Sequence, residues 1–434
     1  MSTDTRPRNR AVAASFAGTA IEWYDFFIYS TAAALVFNKH FFPDFAPMVG
    51  TLLAFSTFVV GFVARPIGGV IFGHFGDRLG RKSILVVTLT LMGVCTFIIG
   101  LLPTYAQIGI WAPILLVAVR FVQGLALGGE YGGAVLMAVE HSRPERRGFF
   151  GSWVQVGVPV GLAMSNLVFL LVQFLPESAL ESWGWRVPFL LSAVLVVLGL
   201  TIRLKVDESP EFREVKDKGK VAKMPAGQAV KRSWVPILLS AAAGFAPGTM
   251  FYATMVFGLS YGSDQVGVSR STMLTLTLIS MVVVLPSLLY FGSLSDRIGR
   301  KPVFAAGVVG MVLTAFPWIL LVDTGSFGLM LIGYILVSVP FSAAYGTLAT
   351  LLAELFEADV RNSAVNIAYA ISNVFGAGMA PIVATSLLLR YDSGLPIAGY
   401  IAAVCVVSFV CLMALRETAV RAKKKASAVD GAAA

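Results

Sequence analysis

The sequence has little charge. Asp, Glu, Lys and Arg make up 13% of its 434 residues, where a soluble domain carries roughly a quarter. Cysteine is scarce too. Cys95, Cys405 and Cys411 all fall in apolar segments, so neither a disulfide framework nor a thiolate metal site is indicated. The three histidines, His40, His74 and His141, lie scattered near loops and form no metal-ligand cluster. No phosphate-cradling glycine loop and no nucleophile constellation occurs, so enzyme chemistry and cofactors are not expected. The alternating pattern of an outer-membrane barrel is also missing. A cleavable leader is not expected, because the first apolar run is too long and carries Glu22 and Asp25.

What the chain does have is apolar length. Hydrophobic residues make up 57% of it, and the mean hydropathy is +0.80. Twelve segments each reach about one membrane-crossing helix: 11–37, 49–72, 83–103, 109–139, 148–176, 185–205, 234–262, 271–292, 303–322, 327–352, 362–389 and 396–415. The expected fold is an all-α integral membrane protein. Its net charge of +9 would suit a nucleic-acid binder, but the distribution argues otherwise. Twenty-seven of the 33 Lys and Arg fall in alternate loops and the two ends. That bias places both ends in the cytoplasm of a cell-membrane protein. The expected organisation is a cytoplasmic N-terminus (1–10), a six-helix bundle (11–206), a Lys-rich linker (207–233), a second bundle (234–416) and a tail (417–434). A short amphipathic helix is expected near 210–218, and the tail has no heptads.

The two bundles repeat one another. GDRLGRK at 76–82 returns as SDRIGRK at 295–301, and Glu140 with Arg147 returns as Glu354 with Arg361. Duplication of a six-helix unit marks secondary transporters, with the ligand site near mid-membrane between the halves.

The stretch 119–134, VRFVQGLALGGEYGGA, concentrates the chemistry. Arg120, Gln123, Leu127 and Glu130 fall on one helical stripe, and a charge at such depth needs a protein or water-lined interior. Gly124, Gly128 and Gly132 form an adjacent stripe that admits a neighbouring helix backbone to backbone. On the first segment Glu22 and Asp25 are three apart and share a face. A carboxylate pair so deep holds a proton on one member unless a cation neutralises it.

The stretches IEWYDFFIY (21–29), RPIGGVIFGHFGDRLGRK (65–82), IGIWAPILLVAVRFVQGLALGGEYGGA (108–134) and SWGWRVPF (182–189) resemble the metabolite:proton symporter family of the major facilitator superfamily. That family includes shikimate, α-ketoglutarate, citrate and proline/betaine carriers, and the local likeness is greatest to the shikimate type. The resemblance implies twelve helices in two pseudo-symmetric bundles, with the first and fourth helices lining a central cavity. An Asp25–Arg120 or Glu22–Arg120 pair is then expected. A substrate carboxylate reaching Arg120 would release the acid to take a proton. Glu130, about 15 Å further along the helix, is expected either to relay that proton or to pair structurally. Arg65, beside Pro66, is expected to snorkel toward the cytoplasm, with substrate contact as the alternative.

Candidate substrate contacts are Arg120, Gln123, Tyr24, Tyr29, Gln155, Tyr345, Tyr369 and Asn373. The second bundle has no ionisable residue deep in a helix. It offers instead the stripe Asn362, Asn366, Tyr369 and Asn373, and another of Ser338, Ser342 and Tyr345. Pro247-Gly248 and Pro340 are candidate kinks. Asp77, Arg78, Arg81, Lys82, Glu140 and Arg147, with Asp296, Arg297, Arg300, Lys301, Glu354 and Arg361, are expected to bridge a cytoplasmic gate. The resulting expectation is proton-driven uptake of a small monocarboxylate by a monomer, its partners being substrate, proton and lipid. Uptake of a proline- or betaine-like zwitterion is the alternative, followed by uncoupled facilitation.

Overall fold

The computed structural model describes residues 6–45, 47–79, 81–140, 142–204, 225–357 and 361–419. Among these residues all regular structure is helical. The first half comprises α1 (Arg6–Leu35), α2 (Pro47–Leu79), α3 (Arg81–Leu101), α4 (Trp111–Glu140), α5 (Arg147–Val172) and α6 (Val187–Leu204). The second comprises α7 (Gly227–Gln265), α8 (Arg270–Ile298), α9 (Arg300–Asp323), α10 (Phe327–Leu355), α11 (Arg361–Tyr391) and α12 (Leu395–Ala414). Eleven helices among the described residues are long and apolar enough to cross a membrane. The remaining one, α1, has 30 residues, and Glu22 and Asp25 dilute its apolar run.

Each half packs by the same scheme. α1 lies on α5 and α6, α2 on α4 and α3 on α6, while α7 lies on α11 and α12, α8 on α10 and α9 on α10 and α12. The halves meet through α5 with α8 and α10, α2 with α11, and α1 with α7. Large apolar side chains such as Phe62, Val70 and Leu313 divide by position, with Phe62 buried between helices and Val70 and Leu313 facing outward. Outward apolar surface on a helix bundle is what a bilayer accepts.

The glycine stripe of α4 does what its spacing suggested. A Cβ at Gly124 would stand 2.1 Å from the Gly61 carbonyl oxygen, and one at Gly128 would stand 2.0 Å from that of Arg65. α2 therefore runs against α4 backbone to backbone. The third glycine, Gly132, faces α11 of the other half instead, and its N–H donates to Asn366 Oδ1 at 2.7 Å.

Three features depart from the expected segments. α4 is interrupted at Gly129 and Glu130 instead of running straight through 109–139. The first helical stretch of α7 begins at Pro225, inside the expected linker, and Ser233 (φ −133°) marks its bend into the membrane segment. Beyond Gly244, α7 contains π-helical turns at Tyr252–Phe257 and Tyr261–Gln265, and α11 contains one at Asn373–Gly378. Such turns are rare and often border functional sites. α10 continues through Pro340 as one helix. The linker stretch 205–224, with the expected helix near 210–218, and the tail beyond 419 lie outside the described residues.

Candidate functional site

Among the described residues, two small cavities lie between the halves. The first is bounded by Glu22, Trp23, Arg65, Glu130, Tyr131, Asn366 and Tyr369 among others, and measures about 30 Å³. The second, about 20 Å³, is bounded by Trp23, Tyr252, Phe341, Tyr345, Tyr369 and Asn373 among others. Trp23 and Tyr369 border both. These volumes admit water but not a metabolite, so the molecule is closed around its centre.

On the side assigned to the cytoplasm, the closure is extensive. Tyr131 of α4 stacks on Tyr369 of α11 with ring centroids 3.4 Å apart. Gln155 accepts from Tyr131 Oη at 3.2 Å and donates to the Tyr345 carbonyl at 3.0 Å, tying α4, α5 and α10 together. Further out, Arg361 Nη1 pairs with Glu140 Oε1 at 3.1 Å across the halves. Asp296 accepts from the N–H groups of Gly148 (2.8 Å) and Phe149 (3.0 Å), at the start of α5. Thr350 Oγ1 donates to the Arg147 carbonyl at 3.1 Å.

The expected gate bridges are thus only partly bridges between halves. Arg300 binds Asp296 (2.7 Å) and Glu354 (3.2 Å), both within its own half. Lys301 Nζ donates to the Met413 and Leu415 carbonyls and so anchors the end of α12. Arg297 is exposed. The side chains of Asp77, Arg78, Arg81 and Lys82 lie outside the described residues. Glu417, outside the repeated motifs, accepts from the N–H groups of Arg300 and Lys301 at 3.0 Å each and caps α9.

At the opposite end Asn166 Nδ2 donates to Thr277 Oγ1 at 2.9 Å, and Thr31 Oγ1 donates to Asn166 Oδ1 at 3.0 Å, joining α5, α8 and α1. Outside this latch lies a cleft of about 310 Å³ lined by Lys39, His40, Gln173, Glu181 and Arg270 among others. Burial against Trp185, 5.1 Å away in a stacked arrangement, holds His40 below the ordinary imidazole range, with Glu181 pulling the other way.

The buried charges are arranged differently from the expected pair. Asp25 makes no ion pair with Arg120 among the described residues. Arg120 Nη1 donates to Gln123 Oε1 at 2.6 Å, and Gln123 Nε2 donates to Thr96 Oγ1 at 2.7 Å. Its guanidinium lies over Phe26 (4.1 Å) and Tyr29 (4.2 Å). Asp25 Oδ1 accepts from Ser192 Oγ at 2.5 Å, and Asp25 also neighbours Thr96. Its Oδ2 has no hydrogen-bond partner among the described residues. A short polar chain, Arg120–Gln123–Thr96, therefore ends beside Asp25. The physical reason is azimuth: Asp25 points from α1 toward α3 and α6, not toward α4.

The other candidates separate by position. Tyr345, Tyr369 and Asn373 line the second cavity, and Glu22, Glu130 and Tyr369 the first. Arg120, Gln123, Tyr24, Tyr29 and Gln155 line neither. Tyr24 Oη donates to the Pro188 carbonyl at 2.9 Å, inside the first bundle, and Tyr29 is hydrogen-bonded to Thr57. Ser338 and Ser342 back-bond to their own helix. Arg65 does not snorkel: it is 3% exposed, borders the first cavity, and its guanidinium lies over Phe26 and Phe62.

Comparison with known proteins agrees with this architecture. Residues 10–244 match the family model "Sugar (and other) transporter", and residues 249–433 match "Major Facilitator Superfamily". The inner membrane metabolite transport protein YhjE of Escherichia coli (strain K12) is 39% identical over 96% of both chains. The shikimate transporter of the same organism is 38% identical over 94% of both. Among solved structures, the proton:xylose symporter XylE bound to 6-bromo-6-deoxy-D-glucose superposes with a TM-score of 0.78 at 17% identity, covering 96% of this chain and 97% of that one. The chain is a multi-pass inner-membrane transporter and not an enzyme. It belongs to the major facilitator superfamily, within the metabolite:proton symporter group that holds the shikimate carriers.

Proposed function

We propose that this carrier imports a small carboxylate metabolite of the shikimate type together with a proton, by alternating access of its two bundles. The observation that carries the reading is Asp25. It is fully buried, its Oδ2 has no partner among the described residues, and it lies beside Thr96, which links through Gln123 to Arg120. A proton arriving at Oδ2 converts a buried charge into a neutral acid, which removes the main cost of keeping that group dry. The Arg120–Gln123–Thr96 chain then has no anion at its end and is free to rearrange. Phe26 and Tyr29, which carry the Arg120 guanidinium, sit on α1 beside cavity-lining Trp23, so occupancy of the cavity can be felt at Asp25. The cytoplasmic links of Glu140, Asp296 and Tyr131 must break for release, and the Asn166–Thr277 latch must break for entry.

A zwitterionic substrate is the second reading, and one feature favours it. Glu22 and Glu130 border the first cavity together with the rings of Trp23, Tyr131 and Tyr369. Acids and aromatic faces together suit an ammonium group.

The test is uptake by the purified protein in proteoliposomes, over organic acids, amino acids and betaines. Adding the true substrate outside should alkalinise the medium as protons enter with it. Uptake with no pH change would leave an uncoupled facilitator, and acidification of the medium would indicate an exchanger.

A further inference from the structure

The geometry points to Arg65 as the group that receives the substrate's carboxylate. The inference rests on the reading above that the central cavity is the substrate site. Arg65 stands midway along α2 and is 3% exposed. Its guanidinium carbon lies 5.1 Å, 4.4 Å and 4.3 Å from the ring centroids of Trp23, Phe26 and Phe62. Those rings occupy the faces of the guanidinium plane and leave its edge for hydrogen bonding.

The edge is vacant in a telling way. Nε and Nη2 are buried, and neither has a hydrogen-bond partner among the described residues. These two atoms are the adjacent pair whose N–H bonds run parallel, at the spacing of the two oxygens of a carboxylate. Leaving two charged donors unsatisfied in a dry site is costly, and a protein retains such groups where a partner comes and goes. The same cavity that Arg65 borders is where the partner would sit. Arg120 differs in position, since it borders neither central cavity, and its Nη1 is already bound to Gln123.

The backbone beneath Arg65 is fixed. Its carbonyl lies against Gly128, so α2 cannot roll to carry the side chain elsewhere without losing its contact with α4. Glu22 and Glu130 on the same cavity restrict what Arg65 can accept. One carboxylate is matched, an additional ammonium is matched, and a second or third carboxylate meets like charge. The inference therefore specifies a class: one carboxylate, with net charge of minus one or zero. At about 30 Å³ the cavity must widen to admit such a molecule, and the Tyr131–Tyr369 stack is the wall that has to move.

The experiment is ligand binding to the purified full-length protein in nanodiscs, by calorimetry. The probes are shikimate, its methyl ester, glycine betaine, citrate and xylose. Wild type should bind shikimate or glycine betaine, and should bind the ester and citrate at least tenfold more weakly. Arg65→Gln should weaken the carboxylate ligand about ten- to a hundredfold, as expected for losing charged hydrogen bonds. Arg65→Lys keeps the charge but not the paired donors and should fall between them. It also serves if the glutamine variant does not fold. Carboxylate binding within twofold of wild type in the folded variants would overturn the role of Arg65 and leave the transport reading standing. Wild-type binding confined to xylose or the ester would instead overturn the substrate reading, and the inference with it.

Discussion

The two halves of this carrier are copies in backbone and opposites in chemistry. Carrying the sequence repeats into the helices places Val284 where Arg65 stands (the step from 77 to 296), and Ser342 where Gly128 stands (140 to 354). The fold honours this register. Gly128 abuts the Arg65 carbonyl, and Ser342 Oγ donates to the Val284 carbonyl at 3.5 Å. By the same step Arg120 corresponds to Tyr334, whose hydroxyl merely donates to the Thr254 carbonyl at 3.2 Å. One copy thus buries Glu22, Asp25, Arg65, Arg120 and Glu130, while the other meets them with Tyr, Asn, Ser and Thr. The bundle can be built without the charges. On the proposed reading the first half's Glu22, Asp25, Arg65, Arg120 and Glu130 are the working groups, and the facing Tyr, Asn, Ser and Thr of the second half are the neutral wall against which they act.

The largest effect is expected at the helix contact that both halves share. Gly128→Ala sets a methyl 2.0 Å from a backbone oxygen, so α2 and α4 must separate. We expect loss of more than about 3 kcal/mol and little folded protein in the membrane, read by size-exclusion profile and melting temperature. Ser342→Ala at the corresponding place removes only weak hydrogen bonds and should cost about 0.5–1 kcal/mol. Equal melting temperatures for the two variants would refute the asymmetry.

The gate offers a second, smaller contrast. Asp296→Ala strips two backbone N–H groups and the buried Arg300 of an acceptor, and should favour the cytoplasm-open state by about 2–3 kcal/mol. Arg361→Gln breaks a pair whose side chains are 25% and 13% exposed, worth less than about 1 kcal/mol. Spin-label distances across the cytoplasmic ends would rank them, and a larger shift from Arg361→Gln would reverse the assignment. At the outer end, Lys39→Ala removes a pair that is 46% and 44% exposed and should leave uptake and stability within about 0.3 kcal/mol of wild type.

Much of the architecture was legible because apolar length is a one-dimensional signal. The helical segments, the repeat and the glycine stripe of α4 could all be read by counting. The pairing of charges could not. Depth along a helix follows from residue number, but azimuth depends on how α1 rotates against its neighbours, and that rotation turned Asp25 toward Ser192 and Thr96. Hydroxyls in apolar helices carry little signal, because most back-bond to their own turn, as Thr96 also does to Met92. Arg65 gave the same signal as Arg120 and was misread. Snorkelling assumes a helix free to let its side chain reach the interface, whereas the contact with Gly128 fixes α2 with Arg65 facing inward. Glu417 was invisible for another reason: its partners are backbone N–H groups more than a hundred residues away in sequence.

The central claim is that a proton on Asp25 couples transport to the gradient. It is tested most directly by comparing substrate exchange with gradient-driven accumulation in proteoliposomes carrying Asp25→Asn. Exchange of labelled substrate should persist while accumulation against a concentration gradient, and alkalinisation of the medium, are abolished. Accumulation at the wild-type level in that variant would contradict it.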